Sequence, residues 1–152
     1  MENYIPRGSI HKVLAHSYSV YFTFFLGGIF LDLIFNFKVS SSPLMVPVGV
    51  FFLISGSLLV FWAQKTSRNL NKENLTKENF YRGPYKYTRG PTHWGLFLLM
   101  LGFGLIMNTF FVILFSFISF VFAKYTFLNK QEKLLEAKYG VPYREYKKIV
   151  KF

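Results

Sequence analysis

Four long apolar runs divide the chain, and polar segments separate most of them. The runs occupy residues 17–37, 43–63, 94–107 and 109–128. A helix rises 1.5 Å per residue, so about 20 apolar residues cross the ~30 Å hydrocarbon core of a bilayer. The third run is just long enough when it is counted from Pro91. The pattern therefore predicts an all-α integral membrane protein with four transmembrane helices.

The last two runs meet at Asn108, and no charged residue separates them. This arrangement predicts a tight C-terminal helical hairpin. The tail from Asn129 to Phe152 is polar and basic, and its periodicity predicts a cytosolic amphipathic helix that ends before Gly140. The apolar face of this helix consists of Leu134, Leu135 and Tyr139.

The basic residues concentrate in the tail and in the connection from Gln64 to Thr92. The chain has 18 Lys and Arg against 7 Asp and Glu, a net charge of +11. Because cytoplasmic segments of membrane proteins are enriched in Lys and Arg, both segments are predicted to face the cytoplasm, together with the N-terminus. Long uncharged spans favour a membrane surface over nucleic acid as the partner of this charge.

A chain of 152 residues indicates one membrane domain, in which residues 1–63 form a scaffold. Residues 1–16 are predicted either as an interfacial helix or as a disordered lead-in. Asp32, within the first apolar run, has two interpretations. It makes a polar contact near the interface, or it is a buried functional carboxylate.

Most familiar catalytic sites are excluded by composition and spacing. The chain has no cysteine, and the spacing of His11, His16 and His93 is not that of metal ligands, so no metal site is predicted. No Walker or Rossmann motif is present. The pair Gly102 and Gly104 only weakly resembles the start of a Rossmann motif, and close helix packing is the favoured explanation.

Two polar elements on the same side of the membrane are the candidates for chemistry, residues 83–95 and 131–152. They supply aromatic rings for stacking, Glu132 for ribose hydroxyls and Arg89 for a carboxylate, as an adenosine-bearing cofactor requires. The alternative is a belt of Tyr, Trp, Lys and Arg that anchors the protein at the lipid headgroups. Composition alone favours the anchoring belt over the cofactor site.

The first element, GPYKYTRGPTHWG at residues 83–95, resembles the GPYxxxRHPxYxG motif of the isoprenylcysteine carboxyl methyltransferase and phospholipid N-methyltransferase family. The second, QEKLL at residues 131–135 followed by YGVPYREY at residues 139–146, resembles that family's EExxL…FGxxYxxY ending. The two motifs occur in the right order and at the right spacing. The resemblance covers the C-terminal half of the chain.

This resemblance implies an integral-membrane methyltransferase that uses S-adenosylmethionine, releases S-adenosylhomocysteine, and acts on a lipophilic acceptor entering from the bilayer. Residues 64–152 would then form the cofactor-binding core, with the cofactor site on the cytoplasmic side. Arg89 and His93 are the candidate catalytic residues. The predicted cofactor contacts are Tyr87, Arg89, Pro91, His93, Gly95, Gly102 and Glu132, with Tyr85 able to stack or seal beside Tyr87. The predicted acceptor contacts are Tyr143, Arg144 and Tyr146.

Two positions depart from the family pattern in ways that bear on activity. Gly90 stands where the motif has histidine, and Gln131 replaces the first of its paired glutamates; in addition, His93 stands at the motif's tyrosine. An active enzyme with a different acceptor is the leading hypothesis, because Arg89 and Glu132 remain. The alternatives are a catalytically degenerate scaffold that binds lipid or a partner, and an NADPH-dependent membrane reductase, for which the chain is short.

Overall fold

The structure is a computed structural model that describes residues 9–68 and 76–151, with side chains from Lys12 onward. All regular structure in these residues is helical. The predicted features at residues 1–8, and Lys72 and Glu73 of the central connection, lie outside the described residues. The helices are α1 Ser9–Phe35, α2 Met45–Arg68, α3 Lys77–Phe80, α4 Pro91–Ile106, α5 Phe110–Ala123, α6 Asn129–Tyr139 and α7 Val141–Ile149.

Each predicted apolar run forms a helix, but the helices differ in length. Three are long and apolar enough to span a membrane: residues 12–35, residues 45–68 and the continuous stretch 110–139. The fourth, α4, has 16 residues and is about 24 Å long at 1.5 Å per residue, short of the ~30 Å core. The chain is thus an all-helical protein with three helices capable of spanning a bilayer, while the count of four spans stays a prediction.

Three helix boundaries differ from the sequence expectation. Helix α1 already begins at Ser9, so residues 9–16 extend the first span rather than forming a separate segment. Helix α2 continues past Ala63 to Arg68, because Gln64, Lys65 and Arg68 are long polar side chains that favour a helix and reach toward water. The predicted tail helix is no separate element either, since a π-helical turn at Lys124–Leu128 joins α5 to α6 without a break.

Helices α2 and α4 form the most extensive contact in the fold, and glycines make it possible. A Cβ atom on Gly102 would lie 2.7 Å from the Gly49 carbonyl oxygen, and one on Gly56 would lie 2.8 Å from that of Gly95. Glycines seven residues apart on each helix therefore pair in antiparallel register, and the two backbones approach closely. Helix α4 is held between α2 on one side and α5 on the other.

The end of the bundle opposite the candidate motifs is tied together by two polar side chains. The Asp32 carboxylate accepts hydrogen bonds from the backbone N–H groups of Phe111 (3.1 Å) and Val112 (3.0 Å), which are in the first turn of α5. Asp32 thus caps another helix, and the interpretation as a polar contact is confirmed. Asn108, at φ 53°, forms the predicted hairpin turn, and its side chain bonds the backbone of Val39 and Ser40.

Candidate functional site

The first motif, residues 83–95, forms a compact turn that places Arg89 just before the start of α4. Residues 83–86 make one turn of 3₁₀ helix, and Pro91 occupies the first turn of α4. Proline is tolerated there because backbone N–H groups in the first turn have no hydrogen-bond partner within the helix. Pro84 and Pro91 are fully buried. Because the backbone on both sides is rigid, the position and direction of the Arg89 side chain are fixed.

A network of charged side chains joins the two motifs. Arg89 Nη1 lies 2.9 Å from Glu132 Oε1, and Lys147 Nζ lies 3.1 Å from Glu132 Oε2. Arg89 Nη2 also donates a hydrogen bond of 2.7 Å to the carbonyl oxygen of Lys151. Since the Glu132 side chain is only 7% exposed, this is a nearly buried carboxylate held by two cations. The network connects the start of α4 with α6 and with the segment that follows α7.

Aromatic side chains cover this network and fasten α7 to α3. Phe80 packs edge-on against Tyr139 and Tyr143, with ring centroids 5.1 and 5.4 Å apart. The Tyr146 hydroxyl donates a 2.8 Å hydrogen bond to the Tyr85 carbonyl oxygen. Gly140, at φ 64°, makes the turn that brings α7 back over α6, in a conformation that favours glycine.

A cavity of about 90 Å³ lies between the aromatic cover and the charged network. Burial raises the pKa of the Tyr143 and Tyr146 hydroxyls, and for Tyr143 the Glu132 charge raises it further. Both phenols therefore stay protonated at neutral pH and act as hydrogen-bond donors rather than bases. The cavity is lined by Thr66, Ser67, Asn79, Phe80, Tyr85, Arg89, Gln131, Leu135, Tyr143 and Tyr146.

Buried nitrogen atoms without hydrogen-bond partners lie at this site. They are Arg89 Nε and both ring nitrogens of His93. The Gln131 side chain approaches the His93 ring, yet no hydrogen bond satisfies either ring nitrogen. Because a buried polar atom left unpaired is costly, these three atoms indicate room for the polar groups of a ligand.

The structure brings part of the predicted set together. Arg89, Tyr143 and Tyr146 line the cavity, and Glu132 is held beside it by its ion pair with Arg89. Pro91 and His93 are buried in the adjoining first turn of α4. Tyr87 is 78% exposed and lies outside it. Arg144 points outward and pairs with Glu136 at 2.7 Å. Gly95 and Gly102 lie at the α2 contact, which confirms the packing interpretation of Gly102.

Three residues at the candidate site were either not predicted from the sequence or predicted only in a minor role. Lys147 holds the second oxygen of Glu132, and its position four residues after Tyr143 on one helix face was the available signal. Phe80 lies in the polar connection, where nothing in the sequence marks it. Tyr85, rather than Tyr87, lines the cavity, and burial raises the pKa of its hydroxyl.

The two departures from the motif have different surroundings. Gln131 lines the cavity beside Arg89. Gly90 borders a second cavity of about 250 Å³ that also touches His93 and Lys124. A Cβ atom at Gly90 would lie 3.1 Å from a terminal methyl group of Leu128, which is the flexible end of a side chain. A larger residue at position 90 therefore requires only a small shift, so the glycine is not imposed by packing.

Comparison with protein families supplies the decisive observation, because a model described as phospholipid methyltransferase matches residues 44–141. The chain belongs to the phospholipid methyltransferase family. The match extends from the start of α2 to the first residue of α7, and it includes both Arg89 and Glu132. No curated protein and no solved structure matches the chain. Membership of this family and three helices able to span a membrane make the chain an integral membrane protein of a methyltransferase family.

The residues at the site fit the polar groups of S-adenosylmethionine, the methyl donor that the family implies. Arg89 offers a cation to a carboxylate, and Glu132 offers an acceptor to hydroxyl or ammonium groups. The unpaired Arg89 Nε and His93 nitrogens leave donor and acceptor capacity for a ligand. Among the described residues no group of three metal-ligating side chains occurs.

Proposed function

We propose that the chain is an S-adenosylmethionine-dependent methyltransferase that acts on a lipophilic acceptor delivered by the bilayer. The observation that carries this proposal is the Arg89–Glu132 pair, which unites the two motifs beside a cavity at one end of the membrane helices. Residues 83–95 and 131–135 are distant in sequence, and a shared ligand gives a reason for their contact.

In this proposal the residues of the chain bind the cofactor, orient it toward the acceptor and exclude water from the site. The cofactor supplies a methyl group that its sulfonium already activates. Arg89 binds the cofactor carboxylate, Glu132 accepts from its hydroxyl or ammonium groups, and the Tyr143 and Tyr146 rings cover its base. Aligning donor and acceptor in a site closed to water provides most of the acceleration that such a transfer needs.

Binding requires the site to open. Ligand pockets for molecules of this size enclose about 300–1,000 Å³, whereas the cavity has about 90 Å³. Helix α7 is the element whose displacement enlarges it, because it is attached through the Gly140 turn and through side-chain contacts. In this proposal the small cavity is the closed form of the site.

The acceptor decides whether a base is needed. A carboxylate acceptor reacts directly, as in an isoprenylcysteine-type substrate. A lipid amine must lose a proton, and His93, with no partner on either ring nitrogen, is the histidine at the site that can take it. We further propose that the cofactor site and both termini face the cytoplasm, since the basic segments flank it.

Calorimetric titration of the detergent-purified protein tests the proposal, with S-adenosylmethionine, S-adenosylhomocysteine and NADPH as ligands. Saturable binding of the first two, and not of NADPH, supports a methyltransferase despite Gly90 and Gln131. Binding of NADPH alone indicates the reductase. No heat with any ligand, from protein shown to be folded by circular dichroism, indicates the degenerate scaffold.

A further inference from the structure

The segment that follows α7 lies on Arg89. The carbonyl oxygen of Lys151 accepts a 2.7 Å hydrogen bond from Arg89 Nη2, although the two residues are 62 positions apart in the chain. Just before this contact the backbone leaves α7 and becomes extended at Val150. The main chain of this segment therefore occupies a hydrogen-bonding position on the cation to which the proposed function assigns the cofactor carboxylate.

The contact uses only half of one hydrogen-bonding edge of the Arg89 guanidinium. Nε and Nη2 of an arginine point to the same side, and together they can bind both oxygens of a carboxylate. At Arg89 the Lys151 oxygen accepts from Nη2, whereas Nε is buried and has no partner among the described residues. Nη1 is engaged separately, by Glu132 at 2.9 Å. A single carbonyl oxygen thus takes the position of one carboxylate oxygen, and Nε keeps an unused donor.

Exchange of this carbonyl for a carboxylate is favourable for two reasons. A charged acceptor forms a stronger hydrogen bond than a neutral carbonyl, and an acceptor with two oxygens also satisfies the buried Nε. The Lys151 carbonyl loses little in the exchange, because Lys151 is exposed and water can replace Arg89 as its donor. The contact is therefore one that a carboxylate ligand can displace.

One buried side chain fastens this segment to the fold. Val150 is 4% exposed and packs in the cluster of Phe80, Tyr143 and Tyr146, while the adjacent Ile149 is 54% exposed. Because Lys151 follows directly after Val150, a movement of its carbonyl away from Arg89 pulls Val150 out of the aromatic cluster. Release of the segment therefore loosens the same aromatic cover that must move for the site to open.

We infer that residues 150–151 form a latch, in which the Lys151 carbonyl holds Arg89 in the closed site and the carboxylate of the entering ligand displaces it. The inference rests on the proposed function for the identity of that ligand. Its consequence is that ligand binding and the release of Val150 from the aromatic cluster are coupled. Because the latch must open before Arg89 can bind the ligand, it lowers the apparent affinity.

Thiol labelling at position 150 reports the state of the latch, because the chain has no cysteine of its own. Cysteine is a small apolar residue that suits a buried position, and in Val150→Cys the closed latch protects it from a water-soluble maleimide. Arg89→Lys keeps the positive charge but removes the planar edge that binds the Lys151 carbonyl. In the absence of any ligand it should raise the labelling rate of Val150→Cys about tenfold, as expected for the loss of a hydrogen bond to a charged group.

Arg144→Lys is the matched control for this comparison. Arg144 is an exposed arginine of α7 that pairs with Glu136, so its replacement should leave the labelling rate of Val150→Cys unchanged. Equal rates in the Arg89→Lys and Arg144→Lys backgrounds, in proteins shown to be folded by circular dichroism, overturn the inference.

S-adenosylhomocysteine tests the displacement while Arg89 is intact. A saturating concentration should raise the labelling rate of Val150→Cys about tenfold, because the bound carboxylate shifts the population toward the open latch. Ile149→Cys, at the exposed neighbouring position, should be labelled rapidly with and without ligand. Unchanged or slower labelling of Val150→Cys with the ligand bound overturns the inference, since residues 150–151 would then cover the ligand instead of yielding to it.

Calorimetric titration of the same samples with S-adenosylhomocysteine separates this inference from the proposed function. Binding without faster labelling of Val150→Cys leaves the methyltransferase and removes the latch. No binding removes the proposed function and its ligand. In that case faster labelling in the Arg89→Lys background still supports the closing contact, and equal labelling overturns it.

Discussion

Glu132 is the residue on which the candidate site depends most. Its side chain is nearly buried and meets Arg89 through one oxygen and Lys147 through the other. Removing one partner of a buried ionic contact leaves the others uncompensated, which costs more than the contact itself contributes. Glu136 provides a comparison, because it pairs with Arg144 and Lys147 in a more exposed position.

Glu132→Gln should weaken S-adenosylhomocysteine binding by more than about tenfold, because a hydrogen bond to a charged group contributes about 1.5–3 kcal/mol and 1.4 kcal/mol is one decade of affinity. Glu136→Gln should change the affinity by less than about threefold, as expected for an exposed pair. Calorimetry on both folded variants measures the difference. Equal affinities would remove Glu132 from the cofactor site.

Asp32 shows how a charged residue in an apolar run serves structure rather than chemistry. Asp32→Ala should lower the free energy of unfolding by about 1–2 kcal/mol, since it deletes the acceptor for two N–H groups at the start of α5. Equilibrium unfolding in mixed micelles measures the loss. Cofactor affinity should stay unchanged, because Asp32 is at the opposite end of the bundle, and an unaltered stability would contradict the capping role.

How far the site could be predicted depended on the residue. Arg89, His93 and Glu132 were predicted from the two motifs, and an ion pair in the structure joins Arg89 of the first motif to Glu132 of the second. Tyr87 and Tyr85 differ by two positions, and only the 3₁₀ turn decides which of them faces inward. Lys147 and Phe80 were missed because their roles arise from the way α7 folds back at Gly140, which no local pattern reports.

At the scale of elements, the α2–α4 contact depends on backbone approach. Gly102→Ala places a methyl group 2.7 Å from the Gly49 oxygen and 2.8 Å from the Leu53 nitrogen, neither of which can move alone. We expect a loss of about 1–3 kcal/mol of stability, as for overpacked cores. Gly27→Ala in α1 is the control, because its methyl group meets only the Phe115 ring edge at 3.3 Å. Thermal unfolding followed by circular dichroism compares them, and equal midpoints would refute tight packing at Gly102.

The apolar runs predicted the existence of these helices but not all of their ends. The hairpin at Asn108 was found because no polar residues separate its two helices. The polar continuations of α2 and α5 were not, since Gln64–Arg68 and the tail that starts at Asn129 are polar stretches that the chain continues as helix. Hydropathy predicts which part of a helix lies in lipid. It does not predict where the helix ends, because a helix continues as long as its backbone hydrogen bonds and packing contacts do.

For the whole molecule, the orientation in the bilayer is open to a direct test, because the chain has no cysteine of its own. Single replacements Ser40→Cys and Glu145→Cys lie on exposed segments at opposite ends of the bundle. A membrane-impermeant maleimide should label Glu145→Cys only in inside-out vesicles and Ser40→Cys only in right-side-out vesicles, as the positive charges predict. The reversed pattern would place the cofactor site outside the cell or organelle.

The uninterrupted helix from Phe110 to Tyr139 is longer than the hydrocarbon core is thick. Its 30 residues are about 45 Å long at 1.5 Å per residue, against a ~30 Å core, so one arm is in lipid and the other carries Glu132. A helix longer than the hydrocarbon core can accommodate the mismatch by tilting, and a tilt of the lipid arm would move Glu132 relative to Arg89. S-adenosylhomocysteine affinity should therefore vary with acyl-chain length in nanodiscs, and an affinity independent of thickness would show that the two arms are mechanically uncoupled.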